Sequence, residues 1–314
     1  MVIHFIVLLA SFFGLYLGGG WLVDGARNIG NRLKISPFVL GLTLVAFGTS
    51  APELVVSHLA VLQNKFELIY GNIIGSNIAN TLLIIGATAV VFPMSIASSF
   101  LKEKIYFYGF VLFALSILIF HPFQPQAQIA FFEGLILLLI FGVYLFRVIT
   151  HKNEIEDSQV PLSTNVYKDI AIFIAGCVVL PLSGHFVIQA STAIALTLGV
   201  SEALVSLLAI ALGTSLPELV TSIIAAKEKQ ADLVMGNIIG SNIFNIVLIL
   251  GVSSLVKALP YNSIFQLDFL VLWGAFVLIL LILNLSKEKQ INRFWGFVFL
   301  SLYCLYVISI SIRG

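Results

Sequence analysis

Two short polar segments with the same residue order interrupt a chain that is otherwise strongly apolar. The first is Gly48-Thr49-Ser50-Ala51-Pro52-Glu53, and the second is Gly213-Thr214-Ser215-Leu216-Pro217-Glu218. A charged side chain at the centre of a membrane helix costs about 2.5–3.5 kcal/mol, so each glutamate requires a compensating partner. No lysine or arginine lies inside the predicted spans at matching depth, which leaves a bound cation or protons.

A second polar stretch follows each of these segments. Its amides and hydroxyls are spaced i, i+4 and i+8, which predicts one polar stripe on each helix. The residues are Asn72, Ser76, Asn80, Asn237, Ser241 and Asn245. Carboxylate, amide, hydroxyl and carbonyl oxygens, with no cysteine or histidine in either motif, are ligands for calcium or sodium; magnesium fits less well because it tends to keep its waters.

The prolines of the two motifs predict a broken helix. Pro52 has no backbone N–H to donate to the carbonyl of Gly48 and clashes with that carbonyl, so the helix should open at Gly-Thr-Ser. Freed carbonyls at membrane depth are tolerated where they line a cavity, and there they can ligate a metal ion.

The composition is that of an integral membrane protein. Hydrophobic residues make up 60% of the 314 positions, charged residues 10%, and the mean hydropathy is +1.08, whereas roughly a quarter of residues are charged in soluble domains. Long apolar runs favour an all-α membrane protein over an outer-membrane barrel. We predict ten transmembrane helices, at about residues 3–26, 37–62, 68–92, 104–120, 129–149, 168–195, 201–226, 232–256, 264–285 and 292–312.

The chain is internally duplicated. Residues 46–86 and 211–251 align without a gap at an offset of 165 and match at 23 of 41 positions. The division predicts a first five-helix repeat at 1–150, a linker at 151–167 and a second five-helix repeat at 168–314. Because each repeat has an odd number of spans, the two should have inverted topology, related by a pseudo-two-fold axis in the membrane plane. Such an axis would bring Glu53 and Glu218 together near the midplane.

The positions of the basic residues predict an orientation. With these spans, 13 of the 16 lysines and arginines fall on one side of the membrane. The positive-inside rule then places the central loop in the cytoplasm and both termini outside. We expect the plasma (inner) membrane of a prokaryote.

The doubled Gly-Thr-Ser-x-Pro-Glu motif resembles the two alpha-repeats of the calcium/cation antiporter superfamily, most closely the prokaryotic sodium/calcium exchangers. The resemblance implies exchange of calcium against sodium by alternating access. It implies a calcium site formed by Glu53, Glu218 and the carbonyls of Thr49 and Thr214. It also implies sodium sites, a central pair of asparagines and a sliding pair made of the first and sixth spans. The sodium sites would use Ser50, Ser76, Ser215 and Ser241 with the carbonyls of Ala46 and Ala211. The asparagines that face the middle of the site would be Asn80 and Asn245.

One position departs from this pattern. Several relatives have an aspartate where this chain has Asn245. Two carboxylates balance one calcium, two sodiums or two protons, so the number of sodiums moved stays open and calcium/proton exchange is the main alternative. A passive cation channel, rather than a carrier, is a further alternative. His185 is a candidate proton site, although a lone histidine more often serves packing.

Other functions find little support in the sequence. The chain has no paired-aspartate or serine/histidine arrangement at membrane depth, so we do not expect an enzyme. No basic patch suggests a nucleic acid partner, and we expect no cofactor. The partners are calcium and sodium ions and the lipid bilayer. The oligomeric state is left open, with a monomer as one option.

Overall fold

The structure, a computed structural model, describes residues 2–95, 99–120, 126–150, 165–198, 213–285 and 289–313. These residues are almost entirely helical. In chain order the helices are Val2–Leu33 (α1), Pro37–Thr49 (α2), Ala51–Leu62 (α3), Phe66–Val91 (α4), Ser99–Phe120 (α5), Phe131–Thr150 (α6), Val166–Thr197 (α7), Leu216–Lys227 (α8), Ala231–Val256 (α9), Gln266–Leu285 (α10) and Arg293–Arg313 (α11).

Eight of the described helices are long and apolar enough to cross a membrane. The bent pair α2 and α3 makes a ninth span if it is counted as one. The predicted span 201–226 lies partly outside the described residues, and only its last part is seen, as α8. The chain is therefore a helical membrane protein, with nine candidate spans in the parts that the structure describes.

The first polar motif sits at a helix break. Helix α2 begins at Pro37, where the hydroxyl oxygen of Ser36 accepts a hydrogen bond from the backbone N–H of Val39 at 3.3 Å. It ends at Thr49, Ser50 takes φ −86° and ψ 7°, and α3 leaves at an angle of 46°. Pro52 explains the break, because it can neither donate to the preceding turn nor fit against it. Ser215 has the same backbone conformation before α8, at φ −86° and ψ 0°.

Two helices form the centre of the molecule. In α9, 94% of the most apolar window is buried, and in α4 78%, against 22–50% in the other described spans. Both central helices contain a π-helical segment, at Ala79–Ile84 and Phe244–Leu250. Such wide turns shift the side chains that follow and are frequent at functional sites. The first π-helical segment begins one residue before Asn80, and the second begins one residue before Asn245.

Glycines let α2 lie against α9. A Cβ on Gly236 would lie 2.4 Å from the carbonyl oxygen of Phe38, and one on Gly240 would lie 2.9 Å from that of Leu42. This is the close backbone approach that small residues permit between membrane helices. In α4, a Cβ on Gly75 meets nothing within 4 Å among the described residues. Close packing therefore accounts for the GxxxG pair of α9.

Helices α1 and α7 pack along most of their length. A Cβ on Gly18 would lie 3.0 Å from the backbone nitrogen of Leu180, and one on Gly25 would lie 2.7 Å from that of Phe173. These two helices are the first and sixth predicted spans. They lie against each other outside the more deeply buried pair formed by α4 and α9.

Charged residues near the end of α1 connect it to two other helices. The buried carboxylate of Asp169 in α7 accepts a hydrogen bond from Asn28 at 2.9 Å and lies 3.6 Å from a guanidinium nitrogen of Arg32. Arg27 pairs with Asp24 at 3.5 Å and also with Glu228, just beyond α8. Asp24 and Arg27 are three residues apart, so this ion pair lies within α1.

Short strands join the two halves of the chain. Four two-residue strands, Met94–Ser95 (β1), Gln128–Ile129 (β2), Leu259–Pro260 (β3) and Gln290–Ile291 (β4), form two antiparallel pairs. Strand β1 pairs with β4, with Met94 opposite Ile291, and β2 pairs with β3, with Gln128 opposite Pro260. The expected all-α chain therefore has a small β component, which is too short to show an alternating pattern in the sequence.

The packing of α2 on α9 predicts that Gly236→Ala destabilises the protein. The added methyl would meet a backbone carbonyl that cannot rotate away, and overpacking of this kind costs about 1–3 kcal/mol. Gly142→Ala is the control, because a Cβ there meets nothing within 4 Å among the described residues. Thermal unfolding in detergent should show a lower midpoint for Gly236→Ala only. Equal midpoints for the two variants would contradict the packing argument.

Candidate cation site

Both motif glutamates are buried at the start of a helix. Glu53 is 1% exposed and Glu218 is fully buried, and each is the third residue of its helix, α3 or α8. The first-turn position sets each carboxylate near unpaired backbone N–H groups and the positive end of the helix dipole. The helix break therefore places both acids beside backbone donors.

The two motifs contact each other across the centre of the molecule. The hydroxyl of Ser50, in the first motif, donates to Oε1 of Glu218, in the second, at 3.1 Å. Glu53 is near enough to Glu218 to interact with it electrostatically. Among the described residues, the ion pairs are formed by other side chains and involve neither glutamate. Two like-charged acids thus lie together without a basic side chain paired to either in the described parts of the chain.

Oxygen atoms of the predicted ligands are buried and lack hydrogen-bond partners within the described residues. A buried polar atom without a partner costs about 1–3 kcal/mol, so a cluster of such atoms calls for an explanation. The seven oxygens are Oε1 and Oε2 of Glu53, Oε2 of Glu218, Oγ of Ser215 and Ser241, and Oδ1 of Asn80 and Asn245. All seven are suitable ligands for a hard cation.

The motif threonines also bond across the duplication. The hydroxyl of Thr49 donates to Oδ1 of Asn237 at 3.2 Å, and that of Thr214 donates to Oδ1 of Asn72, also at 3.2 Å. The hydroxyls of Ser76 and Thr214 are 3.1 Å apart. Thr49 is in addition 3.1 Å from the carbonyl of Val45, the local bond common for a helical threonine. Each motif is thus held against the polar stripe of the other half.

Two serines that the sequence did not single out complete these contacts. The amide nitrogen of Asn72 donates to the hydroxyl of Ser57 at 3.1 Å and to the backbone carbonyl of Glu53 at 3.2 Å. Asn237 donates to the hydroxyl of Ser222 at 3.1 Å. Ser57 and Ser222 are one turn beyond the glutamates and are themselves 165 residues apart. That shared offset was the signal available in the sequence.

Four asparagines form a second polar cluster between α4 and α9. The amide nitrogen of Asn80 donates to Oδ1 of Asn242 at 3.0 Å, and that of Asn245 donates to Oδ1 of Asn77 at 3.0 Å. All four side chains are 0–1% exposed. Asn77 and Asn242 belong to the repeated Gly-Ser-Asn sequence, but the motif alone gave no partner for either.

The remaining candidates are less closely tied to this cluster. Ala46 is fully buried, and its carbonyl accepts a bond from the N–H of Ser50 at 2.9 Å. Ala211 lies outside the described residues. His185 is exposed on α7, with its ring against that of Phe186.

The chemistry of the cluster is restricted to hard oxygen donors. If both glutamates are ionised, the site carries a charge of −2, which cations must balance because burial of unpaired carboxylates is costly. Buried acids inside a bundle of membrane-length helices, lined by amides and hydroxyls, are typical of membrane proteins that conduct or carry cations. The fold and the cluster thus define the class as a polytopic membrane protein with buried acids and polar oxygens at its centre.

The family follows from comparison with known proteins. The model of the family described as sodium/calcium exchanger protein matches residues 3–150 and 168–311. The chain belongs to the sodium/calcium exchanger family.

Individual relatives span the whole chain. It is 33% identical over 317 residues to the putative antiporter CaxA of Alkalimonas amylolytica, covering 98% of each chain. It is 30% identical over 352 residues to the sodium/calcium exchanger MaX1 of Methanosarcina acetivorans, again covering 98% of each. Among solved structures, the sodium-calcium exchanger NCX_Mj soaked with Na⁺ and Sr²⁺ superposes with a TM-score of 0.83 at 31% identity, over 98% of both chains.

The contacts of Asn237 predict that Asn237→Ala destabilises the protein. The substitution leaves the hydroxyls of Thr49 and Ser222 without this buried partner, at a cost of about 1–3 kcal/mol. Asn284→Ala serves as a control, since Asn284 is exposed and surface changes stay within about 0.5 kcal/mol. Thermal unfolding should separate the two variants, and a stable Asn237→Ala protein would show that these bonds contribute little.

Proposed function

We propose that the protein is a secondary active antiporter that exchanges calcium for sodium by alternating access at the site between the two motifs. One observation carries the proposal: two buried glutamates from duplicated motifs lie together, three of their four carboxylate oxygens having no hydrogen-bond partner within the described residues. Calcium takes 6–8 oxygen ligands, and two carboxylates supply up to four of them. MaX1 and NCX_Mj, both described as sodium/calcium exchangers, support the same choice of ions.

The ligands are divided between two kinds of site. Calcium is held by Glu53, Glu218 and the carbonyls of Thr49 and Thr214. The flanking sodium sites use Ser50, Ser76, Ser215 and Ser241 with the carbonyls of Ala46 and Ala211. The amides of Asn80 and Asn245 lie between these sites. The unpaired oxygens of Ser215, Ser241, Asn80 and Asn245 support this division.

Alternating access follows from two inverted five-helix repeats, residues 1–150 and 168–314, joined by the linker 151–167 and giving ten spans. Three features support the duplication, and an odd number of spans in each repeat makes the repeats inverted. Helices α1 and α7 have bounds about 165 residues apart, as do the π-helical segments of α4 and α9. Strands β1 and β3 are also 165 residues apart, and each pairs with a strand from the other half. Inverted repeats give a carrier two related conformations that open to opposite sides.

The packing of α1 on α7 supports their role as a sliding pair. Glycines hold the two helices close together, and a Cβ on Gly19 would lie 2.6 Å from Ile224 of α8. In our proposal this closely packed pair moves as one body over the helices that hold the site. In our proposal the central loop is cytoplasmic, both termini are outside and the membrane is the prokaryotic plasma membrane.

The counter-ion is the open part of the mechanism. The site has two carboxylates, and Asn245 adds an oxygen without a charge. Two protons would balance these acids as well as two sodiums do, which keeps calcium/proton exchange as the second candidate.

Transport by the purified protein in vesicles separates these candidates. We expect vesicles loaded with sodium to take up labelled calcium when the external sodium is diluted, because outward sodium movement drives calcium inward. Uptake that follows a pH gradient and ignores sodium would establish proton exchange instead. Calcium flux without any counter-ion would indicate a channel.

Single substitutions test the shared site. Glu53→Gln and Glu218→Gln should each abolish calcium uptake, since one remaining carboxylate cannot balance a divalent cation, while both proteins still insert into the membrane. Glu67→Gln is the matched control, because Glu67 is an exposed acid in the first turn of α4, and its uptake should stay normal. Normal flux in either glutamine variant of the motif would show that the site is elsewhere.

A further inference from the structure

The amides of Asn80 and Asn245 have a defined orientation. Each donates through its nitrogen and leaves its oxygen buried without a hydrogen-bond partner among the described residues. An asparagine amide can be turned over, which would exchange the donor for the acceptor. Only the orientation seen here offers an oxygen to a cation, so another group must hold the amide in this orientation.

Two further asparagines provide that hold, each across the duplication. Oδ1 of Asn77 accepts from Asn245 at 3.0 Å, and Oδ1 of Asn242 accepts from Asn80 at 3.0 Å. Asn242 is the position equivalent to Asn77 at the offset of 165, and Asn245 is the equivalent of Asn80. The two bonds are therefore equivalent under the internal symmetry.

The amide nitrogens of Asn77 and Asn242 have partners of their own, and the partner of Asn77 fixes its orientation. The amide nitrogen of Asn77 donates at 3.2 Å to the backbone carbonyl of Asn242, which can only accept and so determines which end of Asn77 faces it. The amide nitrogen of Asn242 donates to the hydroxyl of Thr81 at 3.1 Å. The residue equivalent to Thr81 in the second half is Ile246, so the two supports differ at this point.

We propose that Asn77 and Asn242 are positioning residues that keep the amide oxygens of Asn245 and Asn80 directed to the transported ions. The inference rests on the proposed function, since it gives those oxygens an ion to face. An aspartate at either position would present an oxygen in both orientations and would need no such support. Each support is therefore needed only while the position that it holds is an asparagine.

The test is calcium binding by the purified full-length protein in detergent, measured with labelled calcium. Asn77→Ala should weaken binding about tenfold, the size expected when a group that orients a metal ligand is removed. In an Asn245→Asp background the same substitution should weaken binding about twofold or less, because the carboxylate needs no orientation. An equal loss in both backgrounds would mean that Asn77 is merely structural and would overturn the inference.

The internal symmetry supplies the controls. In an Asn80→Asp background, Asn77→Ala should still weaken binding about tenfold, because Asn80 is held by Asn242. The mirror pair, Asn242→Ala with and without Asn80→Asp, repeats the test if Asn77→Ala does not fold. Wild-type protein that binds no calcium would defeat the proposed function itself. Wild-type binding combined with background-independent losses would defeat only the role of the two asparagines.

Discussion

The structure depends on keeping two carboxylates buried side by side in an apolar bundle. Burial penalises each charge, and proximity makes the two charges repel. Glu53 and Glu218 gain some compensation from their places at the first turns of α3 and α8, but a helix dipole contributes only about 0.3–1 kcal/mol and at best about 2. In the proposed mechanism an exchangeable cation completes the balance, and the cost of burying the two charges without a cation favours ion binding.

The surrounding helices are built around this constraint. A break at Ser50 turns one span into two helices. It creates a new helix start, whose unpaired backbone N–H groups lie near Glu53. The hydrogen bonds of the motif side chains then run from one half of the chain to the other, as from Ser50 to Glu218. Because the side chains of each motif form hydrogen bonds to residues of the other half, neither half of the chain forms the cluster alone. In the proposed mechanism, movement of α1 and α7 over this core changes access to the site while the ligands stay in place.

Much of this arrangement was predictable from the sequence. The bounds of most spans follow from apolar runs, and the break at Ser50 follows from Pro52, because both depend on local chemistry. The pairings of Asn77 and Asn242 did not follow, since they depend on how α4 and α9 cross. The two-residue strands are too short to show a pattern. The last part of the predicted span 201–226 is seen as α8, while its beginning lies outside the described residues.

The central claim is that Glu53 and Glu218 form one cation site and not two. Equilibrium binding of labelled calcium to purified wild-type, Glu53→Gln and Glu218→Gln proteins, with and without sodium, tests it most directly. We predict one calcium per wild-type chain, displaced by sodium, and no binding at the same calcium concentration in either variant. Two calcium ions per chain, with one surviving in each variant, would contradict the account.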